Sequence, residues 1–187
     1  AMYQEPPTTS QQMAGNGEHS RPLVFEISWE VCSQAGGIYT VLRSKAPTAV
    51  RRWGDNYYLV GPYRESAAAI EFELESPDPL MGKVLEKLRD RNIVVHHGRW
   101  VVTGRPRVLL VDLRNVQHAV GEMKYFLWKD LGIGTPENDG ELNDVIAFGY
   151  VVADLFQTVH SMADDKPMLA HFHEWQGAVA LPVLKQR

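Results

Sequence analysis

The sequence has few features that would indicate disulfide bonds, a membrane-spanning segment or a large net charge. Only one of its 187 residues is a cysteine, Cys32, so no internal disulfide can form and a disulfide-bonded scaffold does not fit. No run of about 18 mostly apolar residues stands out, which predicts that no segment spans a membrane. Nineteen Lys and Arg against 23 Asp and Glu give a net charge of -4, so no chain-wide attraction to nucleic acid or anionic membrane is available. These absences favour a cytoplasmic protein with neither a nucleic-acid nor a membrane partner.

What the sequence does contain is an ordinary globular composition. Hydrophobic residues make up 44% and charged residues 22%, which is enough to build a sizeable core. The first 21 residues differ, because Pro6-Pro7 and a run of polar and glycine residues leave little apolar surface to offset the entropy of ordering. We therefore predict a disordered tail over residues 1–21 and one domain over residues 22–187.

The order of patterns along that domain predicts an α/β fold. A short apolar run rich in strand formers begins at Leu23, and Gly36-Gly37 and a helical pattern follow it. A second strand ends at Gly61-Pro62, which completes a β-α-β unit whose strands pair in parallel. A wide apolar stripe over Glu141–Met162 predicts a long helix that packs on the sheet. The predicted architecture is a Rossmann-like, doubly wound, mostly parallel sheet.

Other segments depart from a simple β-α alternation. Residues 63–79 show no clear period, which predicts a loop or an insertion. A strand is predicted from Ile93, and two β-rich runs on either side of Gly104-Arg105-Pro106 predict an antiparallel hairpin inserted in the parallel pattern. Residues 175–184 are predicted to be helical, with Pro182 kinking or ending that helix.

The first candidate site is the loop Ser33–Thr40, between the first strand and the first helix. Gly36 and Gly37 allow a ligand to approach the backbone closely, and the N–H groups at the start of the following helix favour an anion such as a phosphate. The loop is neither G-x-G-x-x-G nor a Walker A sequence. A tight turn without a ligand is therefore the alternative interpretation.

The second candidate site is A-H-F-H-E-W, residues 170–175, at the carboxyl end of a predicted strand. Ligands bind at that edge of an α/β sheet, and His171 and His173 are two residues apart, so their side chains share one face. Glu174 joins them at the helix start. A polar substrate-binding cluster is favoured, the alternatives being a buried, satisfied histidine and a two-histidine metal site without a third ligand at recognisable spacing.

The third candidate site is P-E-N-D-G-E-L-N-D, residues 136–144, which is rich in carboxylates and amides. Such side chains cap helices, and Asp139 or Asn138 is placed to cap the long helix that follows. Carboxylates and amides also hold carbohydrate hydroxyls. On that second interpretation Asn138 and Glu141 bind substrate.

Taken together, these motifs resemble the amino-terminal region of the animal and fungal type of glycogen synthase. The resemblance runs in order from Leu23 to Arg187, through F-E-I-S-W-E-V, G-G-I-Y-T-V-L-R-S-K-A-P, T-P-E-N-D-x-E-x-N-D and A-H-F-H-E-W-Q-G-A-V-A-L-P. It implies a retaining glycosyltransferase of the two-domain GT-B architecture. Such an enzyme adds glucose from UDP-glucose, or alternatively ADP-glucose, to the non-reducing end of an α-1,4-glucan. We expect neither a metal nor a cofactor.

The resemblance also implies roles for particular residues. Gly36 and Gly37 fall on the family's glycine loop, which faces the donor phosphates. His173 and Glu174 fall on the catalytic segment that contacts the transferred glucose. At Gln34 the chain departs from the family, whose members usually carry Lys or Arg there, so the cation expected beside the donor phosphate is missing. A Gln amide still donates a hydrogen bond.

Length is the larger departure from the family. The resemblance implies a second domain that carries the catalytic glutamate and the basic residues that hold the nucleotide diphosphate, so we expect this chain to be a fragment that is inactive alone. A non-catalytic glucan-binding or regulatory module is an alternative, and a metal-dependent hydrolase using His171, His173 and Glu174 is another. An unfinished parallel sheet leaves an unpaired edge, so we expect the chain either to self-associate into a homo-oligomer through that edge or to be marginally stable.

Overall fold

The computed structural model describes residues 21–186, so all of the predicted tail except Arg21 lies outside the described residues. The strands are β1 (Leu23–Ile27), β2 (Tyr57–Pro62), β3 (Phe72–Leu74), β4 (Val94–Trp100), β5 (Arg107–Asp112) and β6 (Met168–Phe172). The α-helices are α1 (Gly37–Trp53), α2 (Glu65–Glu71), α3 (Pro79–Arg89), α4 (Val120–Leu131), α5 (Gly140–Met162), α6 (Glu174–Ala178) and α7 (Ala180–Gln186). The predicted α/β class is confirmed.

All six strands form one mixed sheet in the order β3-β4-β5-β2-β1-β6. β1 pairs in parallel with both β2 and β6, and β2 pairs in parallel with β5. β4 pairs antiparallel with β3 and with β5 at the other edge. The four parallel strands therefore run third, second, first, fourth in chain order, and the order of strands reverses between β1 and β6.

Helices cover both faces of the sheet. Side chains alternate along each strand, so Phe25 and Ile27 of β1 enter the hydrophobic cluster that α3 and α5 complete. Val24, on the opposite face, packs in a second cluster with Leu42 of α1. Because both faces are covered, β1 and β2 are buried over their whole lengths. This arrangement is consistent with a Rossmann-like domain.

Helix α5 corrects one expectation drawn from the sequence. Over an 18-residue window its mean hydropathy is 1.3, so by length and composition it is able to cross a membrane, although no such run was expected. Within the structure 72% of that window is buried, as for the core helix of a globular domain. Asp139 caps the helix, because its Oδ1 accepts a hydrogen bond from the N–H of Leu142 at 3.0 Å. The cap is therefore Asp139 and not Asn138.

Residues 63–79, predicted as a loop or an insertion, contain α2 and β3, so the loop alternative was wrong for those two segments. β3 has only three residues, and it forms because β4 offers it a partner. Close pairing requires Gly98 of β4, where a Cβ atom would lie 2.1 Å from the carbonyl oxygen of Glu73. The strand predicted from Ile93 and the first strand of the predicted hairpin also prove to be one strand, β4.

The helix predicted over residues 175–184 is two helices. α6 ends at Ala178 and α7 begins at Ala180. Pro182 has no N–H to donate to the carbonyl of Ala178, so a continuous helix would lack that bond. The break consequently falls three residues before Pro182 and not at it.

Candidate functional site

The candidate site lies where the order of strands reverses. In open α/β sheets, ligands bind in the crevice at the carboxyl ends of the strands on either side of such a point. Here those ends lead into the loop after β1 and into His173 and Glu174 after β6. The two segments are joined, because the N–H of His173 donates to the carbonyl of Ile27 at 2.9 Å.

A cavity of about 590 Å³ opens at this point. It brings together three of the predicted segments, since Gly36 and Gly37, Glu141 and Glu174 all line it. Among the described residues, Arg64 is the one cation that lines it. The remaining lining residues are Trp29, Glu30, Ala35, Asp144 and Gln176. Four carboxylates and one guanidinium thus face one space, which suits a polar ligand rich in hydroxyl groups.

The start of α1 was expected to be open to an anion, but the protein's own Glu30 occupies it. Oε2 of Glu30 accepts hydrogen bonds from the N–H groups of Gly36 and Tyr39, each at 2.9 Å. A Cβ atom at Gly36 would lie 2.8 Å from Oε1 of Glu30, whereas one at Gly37 would meet open space. A helix N-terminus attracts negative charge, and here the Glu30 carboxylate supplies it. A donor phosphate would compete with Glu30 for the same N–H groups.

The cation near this loop comes from a residue that sequence reasoning missed. Gln34 is exposed and does not line the cavity, so it makes no contact there. Arg64 lies two residues after the end of β2, and its guanidinium carbon is 5.0 Å from the ring centroid of Trp29. Its position just after a predicted strand was the available signal, because residues at the carboxyl ends of parallel strands gather at one edge of the sheet.

Glu174 adopts a backbone conformation that few residues other than glycine adopt. Its φ of 56° lies in the left-handed region, which costs a non-glycine residue about 1–3 kcal/mol. Such strain persists only where the surrounding structure holds it, and it concentrates at functional sites. The turn directs Glu174 to the cavity and begins α6.

Cys32, in the loop after β1, also has a left-handed φ of 56°. Its side chain is buried, and burial raises the pKa of the thiol far above its ordinary value. A thiol that stays protonated is a poor nucleophile. Cys32 is therefore a small buried residue of the core and not a nucleophile.

His173 is held by a buried carboxylate, Glu26 of β1. Its Nε2 atom lies 2.9 Å from Oε2 of Glu26, and Oε1 of Glu26 accepts from the hydroxyl of Tyr57 at 2.9 Å. The ammonium of Lys45 lies 2.8 Å from the same Oε1. Burial raises the pKa of Glu26, but hydrogen bonds from His173, Lys45 and Tyr57 outweigh burial and lower that pKa to about 2.

His171 shares a face with His173, as predicted, but it lies outside the cavity. The two ring centroids are 4.2 Å apart, and Nδ1 of His171 lies 3.9 Å from Oε2 of Glu26. Burial, followed by the neighbouring His173, lowers the pKa of His171. His171 lines a separate cavity of about 300 Å³ together with Lys45 and Leu169. The structure therefore does not bring His171 together with Glu174.

Within residues 21–186, one group of side chains could hold a metal ion, namely Glu26, His171 and His173. Each offers one ligand atom, and these atoms lie within 4.8 Å of one another. The Lys45 ammonium already pairs with the carboxylate and would repel a cation. The trio required by the hydrolase alternative, His171, His173 and Glu174, does not form.

The two substrate-binding candidates before α5 are placed differently. Glu141 lies in the first turn of α5 and lines the cavity. Asn138 is exposed and does not line it. Of these two candidates, only Glu141 lies at the cavity, and Asn138 is exposed to solvent.

Comparison with known proteins supplies the family. The profile described as glycogen synthase matches residues 26–187. The glycogen [starch] synthase of Neurospora crassa is 43% identical over 166 residues, which cover 88% of this chain and 24% of that protein. Isoform 1 of Saccharomyces cerevisiae is 40% identical over 174 residues, covering 88% of this chain and 25% of the relative.

A mammalian relative is similar over the same share of its length. The liver glycogen [starch] synthase of Rattus norvegicus is 37% identical over 166 residues, covering 88% of this chain and 24% of the relative. The chain spans about a quarter of the length of the curated relatives it matches. Since the family profile matches from residue 26, near the end of β1, to the last residue, the chain belongs to the glycogen synthase family.

Proposed function

We propose that this chain is the amino-terminal part of a retaining glucosyltransferase that transfers glucose from a nucleotide sugar to the non-reducing end of an α-1,4-glucan. The supporting observation is the cavity at the strand reversal, which collects Gly36, Gly37, Glu141 and Glu174. Family membership supports the reaction class. UDP-glucose is the proposed donor, with ADP-glucose as the alternative, and the GT-B architecture and a cytoplasmic location belong to the same proposal.

On the donor side, we propose that the phosphates bind at the glycine loop and displace Glu30 from its N–H groups. Arg64 then supplies the positive charge that Gln34 does not provide. A guanidinium binds phosphate oxygens through two parallel hydrogen bonds, which are stronger than those between neutral groups. The resemblance implies that a second domain supplies contacts to the nucleotide. The chain alone should therefore bind UDP-glucose with a dissociation constant far above the micromolar range.

On the sugar side, Glu141 and Glu174 present carboxylate oxygens to the hydroxyls of the transferred glucose. In a retaining transfer the leaving phosphate departs from the face that the acceptor attacks. The protein therefore works mainly by orienting the sugar and stabilising the charge that develops. Glu174 has the rigid backbone that such orientation needs, and His173 anchors its turn.

The proposal is tested with a chimera in which this chain replaces the matched segment of the Neurospora crassa glycogen synthase. We expect the chimera to transfer glucose to glycogen from UDP-glucose. Replacing Glu174 by Ala should lower turnover at least about tenfold, equal to roughly 1.4 kcal/mol of barrier. Glu86→Ala, which removes an exposed carboxylate on α3, is the matched control and should leave turnover unchanged.

The outcomes separate the candidates. A chimera that transfers glucose from neither UDP-glucose nor ADP-glucose, although folded, contradicts the proposal. If that chimera still binds glycogen, the non-catalytic glucan-binding module is the better interpretation. The metal-dependent hydrolase is disfavoured, because the family is one of transferases and His171 does not reach the cavity.

A further inference from the structure

Glu26 is a buried charge whose position the hydrophobic core does not explain. It is the fourth of the five residues of β1, only 3% exposed, on the face that otherwise packs against α1. Burying an ionised carboxylate is costly unless every oxygen is paired. Glu26 meets that condition, with His173 on Oε2 and with Tyr57 and Lys45 on Oε1.

Within residues 21–186, the three hydrogen-bond partners of Glu26 come from three separate elements. Lys45 belongs to α1, Tyr57 to β2, and His173 to the turn between β6 and α6. One carboxylate thus connects the helix that starts at the glycine loop with the turn that carries Glu174. Both segments border the candidate cavity.

The hydrogen bond also selects the protonation pattern of the His173 ring. An ionised carboxylate only accepts hydrogen bonds, so Nε2 of His173 must carry the hydrogen. In a neutral imidazole the other nitrogen, Nδ1, is then an acceptor. No group within residues 21–186 is hydrogen-bonded to Nδ1.

The turn is consequently fixed at two points on one residue. The backbone N–H of His173 donates to Ile27, and its ring donates to Glu26. The next residue, Glu174, holds a strained left-handed conformation. Such a conformation relaxes when its surroundings no longer constrain it.

We propose that Glu26 is a positioning residue, which holds His173 as the Nε2–H tautomer and thereby locks the His173–Glu174 turn against the cavity. This inference rests on the proposed function, because the turn matters for turnover only if the cavity binds the transferred sugar. Glu26 itself does not line the candidate cavity. Its effect passes through His173.

The first test is spectroscopic and needs no activity. Imidazole ¹⁵N shifts of the 187-residue chain should show His173 as the Nε2–H tautomer in the native protein. Glu26→Gln keeps the volume and an acceptor oxygen, so it should retain that tautomer in part. In Glu26→Ala both tautomers should appear. A native ring protonated on Nδ1 alone contradicts the inference, whatever the enzyme does.

The second test is kinetic and uses the chimera defined above. Glu26→Ala should lower kcat at least about tenfold and raise KM for UDP-glucose less than about threefold, because positioning acts on the transition state more than on binding. Glu26→Gln should recover part of the lost kcat. Tyr57→Phe removes another bond to the same carboxylate without touching His173, and it should leave kcat near the native value.

The two tests keep the inference and the proposed function apart. If the chimera without substitutions is folded but inactive, the proposed function is overturned. The tautomer measurement then tests only the contact between Glu26 and His173. An active chimera whose kcat is insensitive to Glu26→Ala overturns the positioning role. Equal losses in Tyr57→Phe and Glu26→Ala would show a merely structural effect and overturn it as well. If Glu26→Ala does not fold, Glu26→Gln replaces it in the test. A Glu26→Gln variant that has a mixture of His173 tautomers but the native kcat would overturn the positioning role.

Discussion

At the scale of single residues, the site is defined by which charged group reaches which partner. The carboxylate of Glu30 accepts hydrogen bonds from the N–H groups of Gly36 and Tyr39, and the carboxylate of Glu26 is hydrogen-bonded to the ring of His173. Of the described residues that line the cavity, only Arg64 is positively charged. On the proposed function, a donor phosphate binds beside Arg64 and replaces Glu30 at these N–H groups.

The role of Arg64 leads to a charge-swap prediction in the chimera. Arg64→Gln should raise KM for UDP-glucose about tenfold, since a hydrogen bond to a charged group contributes roughly 1.5–3 kcal/mol. Adding Gln34→Lys to that variant should recover part of the affinity by restoring a cation near the loop. Arg89→Gln, an exposed residue on α3, is the matched control. An unchanged KM in Arg64→Gln would remove Arg64 from the donor site.

The lowered pKa of Glu26 predicts how stability depends on pH. Its pKa falls from 4.5 to about 2 on folding, so the stabilisation is present above pH 4.5 and is lost as pH falls towards 2. Between pH 6 and pH 3 the native chain should lose about 2 kcal/mol more stability than Glu26→Gln, which has no titrating group there. Urea unfolding of both chains across this range measures the difference. Parallel pH profiles would contradict the contact with His173, Lys45 and Tyr57.

At the scale of elements, short segments depend on their neighbours. β3 is only three residues long and exists because β4 pairs with it. Two devices make β6 and α6 meet β1 closely, namely the bond from His173 to Ile27 and Gly177, where a Cβ atom would lie 3.0 Å from the carbonyl oxygen of Ile27. Close approach of backbones thus shapes both edges of the sheet.

Gly98 offers a test of this close approach. In Gly98→Ala the added methyl group would lie within 2.7 Å of the Phe72 ring and against the carbonyl of Glu73, so β3 must move away. We expect a loss of about 1–3 kcal/mol in the free energy of unfolding. Gly121→Ala, on α4 where a Cβ atom meets open space, should instead be neutral or stabilising by up to about 1 kcal/mol. Thermal or urea unfolding compares the two, and equal effects would contradict the packing at β3.

At the scale of the whole molecule, β6 forms one edge of the sheet. In the described part of the chain β6 pairs only with β1, and Leu169 and His171 on it are 54% and 57% exposed. Trp175 and Leu181 nearby are also exposed. An edge with apolar side chains pairs readily with another strand.

This edge predicts self-association of the 187-residue chain. Sedimentation velocity should show dimers or larger species that increase with concentration. Leu169→Lys places a charge on the edge, which opposes pairing, and it should shift the chain towards monomer. Val41→Lys, an exposed apolar residue on α1, is the matched control and should leave the distribution unchanged. A native chain that stays monomeric at every concentration would contradict this prediction.

Much of the fold and part of the site followed from local sequence signals. The long periodic stripe of α5, the glycine pair before α1 and the first two strands are such signals, because periodicity and turn residues act over a few positions. The residue order also placed Gly36, Glu141 and Glu174 after strands or at helix starts, and the structure brings them to one cavity. Short elements such as β3 carry too few residues for a period to show.

Only the tertiary structure decided which charges meet. Glu26 and His173 are 147 positions apart, and no local pattern connects them. The occupation of the glycine loop by Glu30, the placement of Arg64 in the cavity and the exclusion of His171 from it likewise depend on the order of strands and the direction of each side chain. The physical reason is range: backbone preferences and hydrophobic periodicity act along a few residues, whereas ion pairs and hydrogen bonds depend on distances in space that the whole packed sheet sets.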